Sequence, residues 1–178
     1  QSAEMLGVTV IPEQTGDRKK QLETILDFGV TTLFSTPTML LAFADFLQKQ
    51  GLTKKDLPLM NLLCEEQCTP PALRTELAEA FQLPVYTLYG HSSIMSLGIA
   101  GECHQQQGLH IHDDHFYPEI INPHTGAVLK EHQPGELVIT PLSREATPLL
   151  RYRTGQMALL TYERCTCGRT SPRITFHP

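Results

Sequence analysis

The sequence predicts an α/β half followed by a β-rich half: a mostly parallel sheet with flanking helices that leads into an antiparallel, barrel-like subdomain. Three observations carry this expectation. Short β-rich runs alternate with helical stretches through residue 90, the pattern of βαβ units. Helical periodicity disappears from Leu109 onward. The 178 residues suit one ordinary domain or two small subdomains sharing a core.

Val8 to Ile11 reads as the first strand, followed by a helix with Leu22, Ile25 and Leu26 on one side. After Thr31 to Ser35 as a strand, Thr36-Pro37 supplies a helix start, Leu40, Phe43, Ala44 and Leu47 form its apolar stripe, and Gly51 ends it. The unit repeats. Leu62 and Leu63 belong to a strand, Thr69-Pro70 opens a helix that turns Leu73, Leu77 and Phe81 inward, and Val85 to Tyr89 form a further strand. Right-handed crossovers make such a sheet mostly parallel. Farther on, Phe116 to Ile121, the turn from Asn122 to Gly126, Glu136 to Thr140 and Met157 to Tyr162 read as antiparallel strands. Two subdomains are expected, residues 1–100 and 101–178, with Lys130 to Gly135 a hairpin loop rather than a linker.

Hydrophobic residues make up 40% of the chain, enough for a packed interior, and a net charge of -5 without a basic run argues against nucleic acid as a partner. No apolar run approaches the roughly 20 residues of a membrane-spanning helix. The start, Gln1-Ser2-Ala3-Glu4, lacks the charged and apolar regions of a signal peptide, so a soluble chain with no membrane partner is expected. Five cysteines, Cys64, Cys68, Cys103, Cys165 and Cys167, are an odd number. They suit thiols or metal in a reducing compartment better than a disulfide framework, and the chain reads as cytosolic.

Cys165-Thr166-Cys167 places two thiols at a spacing of two, so in an extended segment both project from one face and can share one metal ion. Cys103 and His110 flank a polar loop, Gln105 to Gly108, that can curl back and present a sulfur and an imidazole together. These four form a Cys3His set suited to a closed, structural Zn2+ site, with His112 or His104 as alternatives to His110. The opposing reading makes Cys103 a small buried hydrophobe and the histidines hydrogen-bonding surface residues.

Three segments resemble one family. Tyr89-Gly90-His91-Ser92-Ser93 is similar to the Tyr-Gly-x-Ser/Thr-Glu of adenylate-forming enzymes, and Tyr152-Arg153-Thr154-Gly155-Gln156 to their Tyr-Arg-Thr-Gly-Asp. Between them, the run from Asp114 to Pro123 resembles the phenylacetate-CoA ligase branch, as do Gly7 to Pro12 and Ser35 to Thr38 upstream. The resemblance implies the large N-terminal domain of that superfamily and a two-step reaction. A carboxylate attacks the α-phosphate of ATP, with Mg2+, to give an acyl adenylate; coenzyme A then displaces AMP. Phenylacetate or another aryl acid is the implied substrate, and homodimerisation an accompanying expectation.

Within that scheme Tyr89 offers a flat face for adenine and Gly90 lets the backbone approach the nucleotide. Ser92 can donate to the α-phosphate. The bland alternative is a strand-ending Tyr and a turn. Where relatives carry Gly-Ala-Glu-Pro on the adenine side, this chain reads Cys64-Glu65-Glu66-Gln67, keeping the acid as Glu66 but adding bulk. The acid that helps hold Mg2+ is replaced by Ser93, a poor substitute for a carboxylate on a hard dication. The ribose-binding aspartate is replaced by Gln156, with one carbonyl oxygen and no charge. Glu102 and Glu119 are the remaining acids that can stand in, although solvated surface residues are their default reading.

No Gly/Ser/Thr-rich phosphate loop resembling the family's is present, and the chain stops at Pro178, near where the family's lid begins. A portion of an aryl-CoA ligase that is inactive alone is therefore expected. The alternative, from another class, is a degenerate, zinc-stabilised scaffold or interaction protein.

Overall fold

The computed structural model describes residues 7–13, 16–145 and 148–176. Residues 1–6, which include the start read for a leader, lie outside them. Helix α1, Arg18–Asp27, begins where the Asp17 carboxylate accepts the backbone N–H groups of Lys19 and Lys20 at 2.9 and 3.3 Å. That cap satisfies donors a helix start leaves unpaired. Strand β1, Thr32–Phe34, leads to α2, Pro37–Lys49, capped by the Thr36 hydroxyl on the Met39 N–H. Strand β2, Asn61–Glu65, α3, Pro71–Phe81, and β3, Val85–His91, complete the α/β half.

Strands β1, β2 and β3 pair in parallel. Leu62, Cys64 and Val85 on one face are buried with Leu40, Phe43, Leu47, Leu77 and Phe81 from the helices. On the opposite face Phe34 is about half exposed and Leu63 and Tyr86 only partly buried.

The remaining strands are β4, Met95–Glu102; β5, Leu109–Ile111; β6, Phe116–Ile121; β7, Gly135–Pro141; β8, Tyr152–Thr161; and β9, Arg173–Phe176. Among the described residues, the nine strands form one sheet in the order β1-β2-β3-β4-β5-β9-β8-β7-β6. From β3 onward every pairing is antiparallel. Strand β9, last in sequence, sits between β5 and β8, so a second core draws on both sides of it: Tyr89, Ile99 and Ile111 with Ile120, Leu137, Ile139 and Leu160. The expected boundary near residue 100 falls inside β4.

The sheet corrects three expectations. It is not closed into a barrel, because β1 and β6 remain its two edges. Val8 to Ile11 forms no strand, and Val8 and Val10 are about half exposed, with no pairing partner among the described residues. Leu26 turns outward at 48% exposure, while Ile25 is the residue of α1 that enters the core. No helix among the described residues is long and apolar enough to cross a membrane.

Candidate functional site

The two segments that carry the nucleotide motifs meet in space. Tyr89 ends the core-facing side of β3, and its phenol donates to Gln156 Oε1 on β8 at 2.6 Å. Two residues on, the His91 ring meets the Tyr152 ring edge-on with centroids 5.3 Å apart. Burial has a price for the expected stacking role. Tyr89 is fully buried, its ring packs on Phe176 at 4.7 Å, and burial pushes its phenol up to about 12. The face expected to lie open to adenine is covered, because the two-residue period of β3 puts Tyr89 on the same side as Val85 and Thr87.

The Gly90 carbonyl accepts the Gln67 side-chain amide at 2.9 Å, tying the 3-10 turn Glu66–Cys68 to the end of β3. Ser92 lies exposed in the β3–β4 turn. Glu66 is partly buried, and burial pushes its carboxyl above the ordinary range. Of the acids held in reserve, Glu102 is no solvated surface group. It receives both Arg74 amino groups at 2.9 and 2.7 Å and the Thr87 N–H at 2.9 Å, with its side chain 4% exposed. Glu119 pairs with Arg151 at 3.0 Å. Both carboxylates are therefore committed within the fold.

Glu136 on β7 shapes the segment around Gln156. Arg153 donates to its Oε2 from Nε at 2.9 Å and again from Nη2, and the Gly155 N–H donates to Oε1 at 3.1 Å. These bonds hold the Glu136 carboxyl below its usual range, the Arg153 side chain foremost. The β7–β8 register shifts here, between Glu136 and Val138. Gly155 sits at φ +72, in the left-handed region where a side chain is strained.

The second constellation gathers at the other end of β9. Cys103 follows β4, His110 lies in the middle of β5, and Cys165 and Cys167 sit in the β8–β9 loop. One ligand atom from each lies within 4.8 Å of every other. Cys103 and Cys165 sulfurs are 3.8 Å apart, and Cys167 Sγ is 3.5 Å from His110 Nε2. A zinc tetrahedron with Zn–S near 2.3 Å and Zn–N near 2.0 Å has edges of about 3.8 Å and 3.5 Å, which these two separations match, so the group could hold a metal ion. The segment is not extended as expected. The Gly168 N–H donates to the Cys165 carbonyl at 3.0 Å, with Gly168 at φ +95, and this tight turn converges the two thiols.

The Ser171 hydroxyl lies 3.1 Å from His110 Nδ1 and fixes the ring so that Nε2 faces the sulfurs. Burial, aided by Arg169, pushes the imidazole down and favours the neutral form that ligates metals. The Cys167 N–H holds the Cys165 thiol below its ordinary range. At Cys167 the Arg169 N–H acts in the same lowering sense, but burial and the neighbouring sulfurs prevail and push that thiol up. His112 and His104 stand apart from the quartet: His112 Nδ1 is bonded to the Gly98 carbonyl at 2.7 Å, and His104 is exposed.

Glu136 and Ser171 escape sequence reasoning, as does the bond that Gln67 makes. Each acts on a backbone group or a side chain far along the chain, so no local spacing marks it. The one available signal was Gly155, whose glycine interrupts the strand pattern of β8.

A family model described as AMP-binding enzyme matches residues 3–141. A phenylacetate-coenzyme A ligase of Thermus thermophilus is 39% identical over 173 residues, covering 97% of this chain and 39% of that protein. One from Pseudomonas putida is 42% identical over 159 residues, covering 89% and 36%. The chain thus spans about two fifths of the length of the curated relatives it matches. Among solved structures, 2-hydroxyisobutyryl-CoA ligase in an open conformation with 2-HIB-AMP and CoA superposes with a TM-score of 0.85 at 22% identity, covering 98% of this chain and 40% of that one. A long-chain-fatty-acid-CoA ligase from Archaeoglobus fulgidus gives 0.61 at 14%, covering 90% and 36%. These structural likenesses establish the fold.

Proposed function

Because the chain belongs to the AMP-binding enzyme family, we propose that it supplies the nucleotide-binding face of an acyl-CoA ligase that activates an aryl carboxylate. In this reading a carboxylate oxygen attacks the α-phosphorus of ATP, pyrophosphate leaves, and the coenzyme A thiol then attacks the acyl carbon and releases AMP. The observation that carries the reading is the Tyr89–Gln156 hydrogen bond of 2.6 Å, which joins two motifs that lie far apart in sequence.

Ser92, exposed in the β3–β4 turn, is the donor to the α-phosphate in this reading, where negative charge shifts during attack. Gln156 meets the ribose mainly as a donor, since its carbonyl oxygen is engaged by Tyr89. Glu66 and the buried Gly90 border the adenine side. Tyr89 acts by holding Gln156 rather than by stacking. The Cys103, His110, Cys165 and Cys167 quartet holds one Zn2+ as a structural tie, with four protein ligands and no position for substrate.

Ser93, a neutral group in place of a carboxylate, weakens Mg2+ binding, and the sequence carries no glycine-rich phosphate loop. The chain alone therefore does not complete the reaction. Pyrophosphate release dependent on ATP and phenylacetate by the purified chain overturns that statement. Calorimetric titration with AMP and a phenylacetyl-adenylate analogue tests the binding reading: saturable heat supports it, and silence for both removes it. The covered Tyr89 ring favours a second reading, a zinc-stabilised scaffold, and silence is the outcome that reading expects.

A further inference from the structure

The turn between β3 and β4 carries Ser92, and its conformation is set by a residue far along the chain. Locally it is closed by the Ile94 N–H on the His91 carbonyl at 2.9 Å, and the Ser93 N–H points back to His91 Nδ1 at 3.3 Å. Neither bond fixes the outer carbonyls, those of Ser93 and Ile94. Both are taken by Arg144, from the β7–β8 loop, through Nη1 at 2.8 and 2.5 Å. The guanidinium therefore bridges the turn to the loop that precedes the Tyr152–Gln156 segment, and it is only partly exposed.

A guanidinium on two consecutive carbonyls has two consequences. It fixes the rotation of both peptide planes and so holds the turn that carries Ser92. It also ties the turn to the β7–β8 loop, which leads into the Tyr152–Gln156 segment. We propose that Arg144 is a positioning residue that holds the β3–β4 turn, and Ser92 with it, in the conformation that receives the nucleotide phosphate. The proposal rests on the nucleotide-binding reading above and adds a residue that no motif contains.

The test compares AMP with adenosine, because a residue that orders a phosphate-binding turn is felt by the first ligand and not by the second. Arg144→Ala is expected to weaken AMP binding about tenfold, the size of one charge-assisted contact, and to leave adenosine within about twofold. Arg144→Lys, which keeps a charged donor, should recover part of the loss. Hydrogen exchange should accelerate at Ser93 to Met95 in the alanine variant and remain unchanged in β6 and β7. Equal losses for AMP and adenosine, unchanged AMP binding, or unchanged exchange at the turn each overturn the proposal while leaving nucleotide binding intact. A wild-type chain that binds neither ligand overturns the nucleotide-binding reading and this proposal together. If the alanine variant does not fold, the lysine variant decides: full wild-type AMP affinity with faster turn exchange contradicts a role in phosphate positioning.

Discussion

Glu136 shows how one carboxylate can organise a segment that carries a binding motif. It is 5% exposed, receives Arg153 and the Gly155 N–H, and its folded-state pKa lies below the ordinary carboxylate value because of those donors. A carboxyl whose folded pKa is depressed stabilises the fold fully above its unfolded value, about 4.3, and loses that contribution as pH falls through the lower folded value. Glu136→Gln should therefore lower the melting temperature at pH 7 and converge with wild type only as the pH falls through that depressed folded value. Parallel melting curves with a constant gap down to acid pH would show that the ionised form contributes nothing. Within the same motif, the residues legible from sequence are those whose identity recurs locally, such as Tyr89, Gly90 and Gln156. The bonds of Gln67 to Gly90 and of Glu136 to Gly155 are tertiary contacts and leave no local trace.

At the scale of elements, the three helices and the parallel strands are legible because capping residues and apolar stripes mark them, as Thr36-Pro37 and Leu40, Phe43 and Leu47 do for α2. Strands β4, β5 and β9 are not. The first carries glycines at 98 and 101, and the other two have three and four residues, too few for alternation to register. The four metal-binding candidates stand out because two thiols lie two residues apart and a further thiol and an imidazole flank one polar loop, yet the turn that converges Cys165 and Cys167 depends on Gly168 in a left-handed conformation that spacing alone does not reveal. That turn connects β8 to β9 and, through Cys103 and His110, reaches β4 and β5. Chelation should release about one zinc per chain and lower the melting temperature, since the binding energy of such a site is also folding energy. Ser171→Ala should weaken metal affinity about tenfold to a hundredfold by freeing the His110 ring. Metal-free protein of unchanged stability would refute the site.

For the molecule as a whole, the order of strands matters more than their number. Strand β9 pairs with β5 at Leu109 and His110 and with β8 from Ala158 to Thr161, so it joins the two parts of the sheet, and Ile174 is fully buried between them. A chain ending after Pro172 should lose cooperative unfolding and aggregate, because β5 and β8 then present unpaired edges over an opened core. A soluble monomer melting cooperatively near the wild-type temperature would contradict this role. The same arrangement bears on biosynthesis. A ribosome making this polypeptide emits β1 to β8 before the piece that belongs between β5 and β8, so the nascent chain passes through a stage with two incomplete half-sheets. Throughout that interval sticky backbone is on display, and shielding by chaperones has its greatest effect there.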